Sequence, residues 1–231
     1  IFDTFYYKKI FFFIGKHMNT IIERFKKIKS NIDLLKPIKT VNIIAVSKTF
    51  SLSHIKPLID YGHNHFGENK VQEAISKWST VERKNISLHM IGKLQSNKAK
   101  DAVKLFDYIH SLDNQKLADV LSKNELKLNK NLKYFIQVNI GNELQKSGIP
   151  TSELDTFYTY CTKELNLKIL GLMVIPPNDK NSKQYFKSLN ELNTSMALKE
   201  LSMGMSADYV EAVECGATFV RIGSSIFGER F

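Results

Sequence analysis

Apolar and polar positions along the chain repeat a rhythm. A short apolar run is followed by a polar turn, then by apolar residues three and four apart, then by another short run. The run Val41–Val46 (VNIIAV) is β-branched and too short for a helix, so it predicts a buried strand. It breaks off at Ser47-Lys48-Thr49, and a helix follows from about Ser53, ended by Tyr61-Gly62 with the glycine as its carboxyl cap. Further strands are predicted at His65-Phe66, Ser87–Ile91, Tyr108–His110, Tyr134–Ile140, Lys168–Val174, Glu200–Ser202 and Thr218–Ile222. Between them the helical spacing predicts a helix holding Val71, Ala74, Ile75 and Trp78, and one ending near Phe106. Later helices run from a cap at Asp113 or Asn114 through Leu121, from about Thr151, over Ser182–Ala197, and from Ala207 or Asp208 to Cys215. Ahead of all of these, Thr20 is placed to cap a helix reaching about Leu35, with Ile21, Ile22, Phe25, Ile28 and Ile32 on one face.

Eight strand–helix units in about 190 residues predict an α/β fold, a (β/α)8 TIM barrel with an extra amino-terminal helix. An open doubly wound sheet competes. No G-x-G-x-x-G follows the first strand and no Walker loop occurs, so the usual nucleotide-binding support for that fold is missing. Residues 18–231 read as one domain with no dividing linker. Residues 1–17 (IFDTFYYKKIFFFIGKH) read as an upstream extension, expected to be disordered or foreign to the natural product. Their unbroken apolar run, Ile10–Ile14, is shorter than the ~7–15 residues of a signal-peptide core and far shorter than a membrane span.

Composition narrows the partners. The net charge is +10, which raises nucleic acid. Yet the only arginines are Arg24, Arg83, Arg221 and Arg230, and the lysines are scattered, so a solvated basic surface is the better reading. Neither a nucleic-acid nor a membrane partner is expected. Cys161 and Cys215 form no metal-ligand or disulfide pattern, which fits reduced thiols and a cytoplasmic protein.

In a parallel barrel every strand-to-helix loop opens on one face, where ligand sites lie. Lys48 then sits at the end of the first strand, where desolvation can turn an ammonium into an amine nucleophile. Arg221-Ile222-Gly223-Ser224-Ser225 and Ser202-Met203-Gly204-Met205-Ser206 read as small-residue turns after strands eight and seven. Barrels often hold a phosphate there, on backbone N–H groups at a helix start. A lysine able to form a Schiff base, facing a phosphate cradle, describes a pyridoxal phosphate (PLP) site. Glu68 reads as an acid/base group or as a cap of its own helix, and the pair His63 and His65 as structural rather than metal-ligating.

The segments AVSKT, HFGENKVQE, HMIGKLQSNK, HSLDN, QKSGI, GLMVIP and LSMGMSADYVEAVECGATFVRIGSSIFGER together resemble the pyridoxal phosphate homeostasis protein family, single-domain barrels similar to the amino-terminal domain of alanine racemase. The resemblance covers roughly Met18 to Arg230 and implies PLP as cofactor, with Lys48 as the Schiff-base lysine. It implies Ser206, Gly223 and Ser224 around the phosphate, Arg221 near the pyridine nitrogen, and Asn69 beside the ring. It places Met203 and His89 in the wall, and gives Lys146 a part in cofactor transfer. The departures are Lys70 where an aromatic residue is common, a short Asn178–Leu198 segment, and Ser224 in place of a usual threonine.

The implied function is intracellular PLP homeostasis and delivery without robust turnover, by a monomer whose recipients would be apo forms of PLP-dependent enzymes. An arginine at the ring nitrogen has only donors and favours an unprotonated ring, a weak electron sink. No segment resembles the second domain that lends racemases their other acid/base group. A low-activity racemase or lyase is the alternative.

Overall fold

The computed structural model describes residues 20–141, 143, 147–179 and 181–229. Residues 1–17 and Lys146 lie outside them. Helix α1 (20–34) buries Ile21, Phe25, Ile28 and Ile32, the stripe that its apolar spacing dictates. Thr20 is already helical.

The barrel elements then alternate along the chain: β1 (Asn42–Val46), α2 (Leu52–Asp60), β2 (His65–Glu68), α3 (Val71–Trp78), β3 (Ser87–Met90), α4 (Ala99–Leu105), β4 (Tyr108–Leu112) and α5 (Gln115–Leu128). The second half is β5 (Lys133–Asn139), α6 (Leu154–Thr159), β6 (Lys168–Met173), α7 (Ser182–Ser195), β7 (Glu200–Met205), α8 (Tyr209–Glu214), β8 (Phe219–Ile222) and the single turn α9 (Ser224–Phe227). Every neighbouring pair is parallel, and β1 pairs with β8, Ile44 opposite Arg221, so the sheet closes. The expected TIM barrel with an added amino-terminal helix is the fold. A two-residue strand, Ile149–Pro150, adds beside β5. No helix among the described residues is long and apolar enough to cross a membrane.

Strand residues alternate between lumen and outer layer. Ile44, Tyr108, Phe135, Met173 and Phe219 form a small inner cluster. Their neighbours Ile43, Ala45, Ile109, Tyr134 and Leu172 join the larger core between strands and helices.

Two elements differ from the sequence expectation for local reasons. Helix α5 continues past Leu121 to Leu128 because polar groups hold its last turns. Ser122 Oγ donates to the Leu165 carbonyl at 3.0 Å, and the buried Glu125 carboxylate accepts from the Leu132 amide. Strand β7 runs to Met205, where a turn was predicted from Ser202. Ser202 stands opposite Phe219 and Met205 opposite Arg221, so β7 carries one residue more than β8 over that interval. The extra residue is a bulge, with Gly204 at φ +89°. A Cβ on Gly204 would lie 2.5 Å from the Ala212 Cβ.

Gly204→Ala is therefore expected to cost roughly 2–4 kcal/mol, from left-handed strain plus overpacking. Urea denaturation reads this as a lower midpoint at unchanged slope; a midpoint equal to wild type would contradict the bulge.

Candidate functional site

Lys48 follows β1 by two residues, on the same alternation as Ile44 in the inner cluster, and is half-buried. The turn beneath it is tied down from several directions. The Ser47 amide donates to the Gly67 carbonyl at 2.9 Å, and Lys77 Nζ of α3 donates to the Ser47 carbonyl at 2.7 Å. Ser47 Oγ donates to Glu68 Oε1 at 2.7 Å, and the Thr49 amide donates to the Glu73 carboxylate. Glu68 Oε1 also accepts from Lys77 Nζ at 2.9 Å and from Trp78 Nε1 at 3.0 Å. Glu68 is fully buried and the Lys77 side chain only 6% exposed, so this is a buried ion pair. Glu68 is thus neither an acid/base group at the mouth nor a cap. Its alternation turns it outward under α3, whose first residue follows Lys70 with no side-chain cap bond. The sequence carries one signal for this role: a Glu and a Lys nine positions apart, bracketing a strand end and the helix after it.

The turn after β8 abuts the same strand. A Cβ on Gly223 would stand 3.3 Å from the Val46 Cβ and 3.4 Å from the Val46 carbonyl oxygen, two residues before Lys48. Ser224 Oγ donates to Ser206 Oγ at 3.3 Å, joining the turns after β7 and β8. The amides of Ile226 and Phe227 both fold back on the Gly223 carbonyl at 2.9 Å. Those of Ser224 and Ser225 open the turn with no carbonyl inside it to accept them. One turn is too short for a sizeable macrodipole, so the dipole expected here reduces to these local N–H groups and hydroxyls. Arg24 and Lys27 of α1 edge a groove of about 420 Å³ that Ser224, Ser225 and Tyr209 also line. Reading the strand ends alone missed these residues, because α1 lies far away in sequence.

Arg221 is 4% exposed and forms no ion pair among the described residues. Its Nη1 donates to Ser202 Oγ at 2.8 Å and its Nη2 to the Val174 carbonyl at 2.9 Å. Nε has no acceptor among the described residues. Burial lowers Arg221 to about 10, with Asp208 pulling the other way, so the guanidinium stays charged at neutral pH. Asn69 closes β2 on the lumen alternation, and its backbone packs on Gly92, where a Cβ would come within 2.4 Å of the Asn69 carbonyl oxygen. Lys70, Lys93 and Lys98 surround an adjacent cleft of about 370 Å³. Met203 is fully buried in the outer core, so its main chain rather than its thioether borders the mouth. His89 lies in the lumen below. His63 Nε2 sits 2.9 Å from the His65 carbonyl, and among the described residues no cluster of His, Cys, Asp and Glu could hold a metal.

The family model described as alanine racemase, N-terminal domain, matches residues 24–230. An alanine racemase from Bartonella henselae shares the fold alone, with a TM-score of 0.70 at 14% identity over 92% of this chain and 61% of that one. The class is therefore an alanine racemase-type barrel. A protein of Aquifex aeolicus named pyridoxal phosphate homeostasis protein is 39% identical over 81% of this chain and 86% of its own length. One of the same name from Pasteurella multocida is 37% identical over 91% and 98%. PipY of Synechococcus elongatus, solved with PLP bound, superposes with a TM-score of 0.81 at 35% identity, covering 90% of this chain and all (100%) of that one. The chain belongs to the pyridoxal phosphate homeostasis protein family.

Two outcomes follow from the buried charges. Lys77→Met strands Glu68 without its cation and is expected to cost about 3–5 kcal/mol by chemical denaturation. The same change at the exposed Lys29, paired with Asp33, is expected to cost less than about 1 kcal/mol. Equal effects would contradict the anchoring role.

Burial also lowers His63 to about 4 and pulls His65, His89 and His110 below 6.5. In that window the unfolded chain binds protons that the folded one refuses. Stability is thus expected to fall as pH drops from about 7 toward 4, by up to ~1.4 kcal/mol per pH unit for each histidine. Denaturation at a series of pH values checks this, and a flat profile would contradict it.

Proposed function

We propose that the chain holds PLP at the carboxyl-terminal mouth of the barrel as a Schiff base on Lys48, and that it stores and delivers the cofactor in the cytoplasm as a monomer. The observation that carries the reading is the seating of Gly223 on Val46, because it brings the cradle turn to the strand end that presents Lys48. The residues present suit the group. The Ser206 hydroxyl, which accepts from Ser224 Oγ, and the Gly223, Ser224 and Ser225 amides offer donors to a phosphate, and Arg24 and Lys27 add positive charge at their edge. Asn69 stands at the neighbouring strand end. The backbone at Met203 and Met205 completes the wall, its bulge pinned by Asp208 Oδ1, which accepts from the Met205 amide at 2.6 Å. The relative solved with PLP bound supports the same cofactor for this chain.

When bound, PLP supplies an aldehyde for the amine and a ring able to draw electrons from an attached amino acid. What this chain does with it depends on Arg221. Bonds from Nη1 and Nη2 fix the guanidinium plane while Nε–H has no acceptor among the described residues, which leaves it able to meet the ring nitrogen, and an arginine has no proton acceptor to offer. Arg221 would thus favour an unprotonated ring nitrogen, a weaker electron sink, which suits holding over turnover. Apo forms of PLP-dependent enzymes are the proposed recipients. Lys70 and Lys93, exposed beside the mouth, are the surface such a recipient would meet first.

The test is the visible spectrum of the protein mixed with PLP. Wild type is expected to gain the yellow band of a lysine-bound cofactor, and Lys48→Ala is expected to lack it at the same PLP concentration. A Lys48→Ala protein as yellow as wild type would remove the assignment. Incubation with L-amino acids is expected to give no racemisation or elimination in the ordinary enzymatic range of about 1–1000 turnovers per second. Sustained turnover in that range would instead establish a racemase or lyase.

A further inference from the structure

A row of histidines crosses the barrel interior. His65 Nδ1 lies 2.9 Å from His89 Nε2, His89 Nδ1 lies 2.9 Å from His110 Nε2, and His110 Nδ1 lies 2.8 Å from Ser202 Oγ. Ser202 Oγ in turn accepts from Arg221 Nη1 at 2.8 Å. The row starts at the first residue of β2 and crosses from β4 to β7. It ends at the penultimate residue of β8, beside the cradle turn. His89, His110 and Ser202 are fully buried, and His65 is half-buried.

The inventory of donors fixes its direction. Arginine only donates, so Ser202 Oγ accepts from it. The serine hydrogen then has one acceptor among the described residues, His110 Nδ1. A neutral imidazole that accepts at Nδ1 carries its proton on Nε2, so His110 donates to His89 and His89 donates to His65. The opposite direction would point a His110 N–H at the serine and leave the buried serine hydrogen without a partner among the described residues. The rings are also clamped. Tyr108 stacks on His89 at 4.2 Å and 16°, Phe135 stacks on His110 at 4.3 Å and 18°, and Phe219 meets His110 edge-on. Burial keeps His89 and His110 neutral.

We infer that Ser202, His110, His89 and His65 form a single-direction hydrogen-bond relay that Arg221 polarises, and that this relay positions the guanidinium so that Nε faces the mouth. The four are positioning residues. Only the identity of what Nε meets rests on the PLP reading; the relay itself belongs to the cofactor-free chain.

Nitrogen NMR of histidine-labelled protein without PLP tests it. His65, His89 and His110 are each expected to show one tautomer, Nε2–H with Nδ1 as acceptor, at neutral pH. Ser202→Ala removes the only hydroxyl in the row and is expected to give mixed tautomers at His110 and, through it, at His89 and His65. Ser202→Thr keeps the hydroxyl and is expected to restore the wild-type pattern. An Nδ1–H or mixed tautomer at His89 or His110 in wild type would overturn the relay, and needs no variant to fold. So would a Ser202→Ala protein whose His89 and His65 signals stay in place. A second readout separates the two claims. If the tautomers behave as expected while the PLP band of Ser202→Ala matches wild type in position and pH response, the link from relay to mouth is overturned and the PLP reading stands.

Discussion

An amine works as an anchor for a small molecule only if the turn beneath it cannot drift. Here that constraint is met by one buried ion pair. Lys77 reaches back from α3 to the Ser47 carbonyl while its partner Glu68 takes the Ser47 hydroxyl, so the residue preceding Lys48 is held at both main chain and side chain. A buried pair of this kind is no bargain in stability compared with apolar packing, but its bonds are directional where apolar contacts are not. The direction is what the site requires. The Gly67 amide-accepting carbonyl and the Glu73 carboxylate close the remaining sides of the turn.

The same logic runs through the mouth. Gly223 lets the turn after β8 settle on Val46, and the bulge at Gly204 swings the end of β7 so that Ser206 meets Ser224. Arg221 is the most demanding element, because a guanidinium with no ion pair among the described residues must find neutral acceptors. Ser202 Oγ and the Val174 carbonyl supply two. Polar groups thus occupy the upper lumen, where a purely structural barrel would be filled by branched apolar residues.

The fold was legible because parallel strands buried on both faces read as short β-branched runs, and the polar loops between them mark one face. The positions of Lys48, Asn69, Ser206, Arg221, Gly223 and Ser224 at or just past strand ends were legible for the same reason. What hid from the sequence did so through alternation and polar capping. The Met203 side chain lies in the outer core by simple alternation from the inward Ser202, and Glu68 points outward under α3 on the alternation of Phe66. The last turns of α5 depend on Ser122 and Glu125, polar residues that an apolar pattern discounts. The histidine row leaves a faint trace. His65, His89 and His110 occupy inward positions of three successive strands, which only the strand register brings into line.

The central claim is that one lysine among many is placed to bond the cofactor. Borohydride reduction of the PLP-treated protein, followed by peptide mass mapping, tests it most directly. A phosphopyridoxyl group fixed stoichiometrically on the peptide containing Lys48 is the result this account predicts. Label spread over exposed lysines such as Lys70 and Lys93, with Lys48 unmodified, would contradict it.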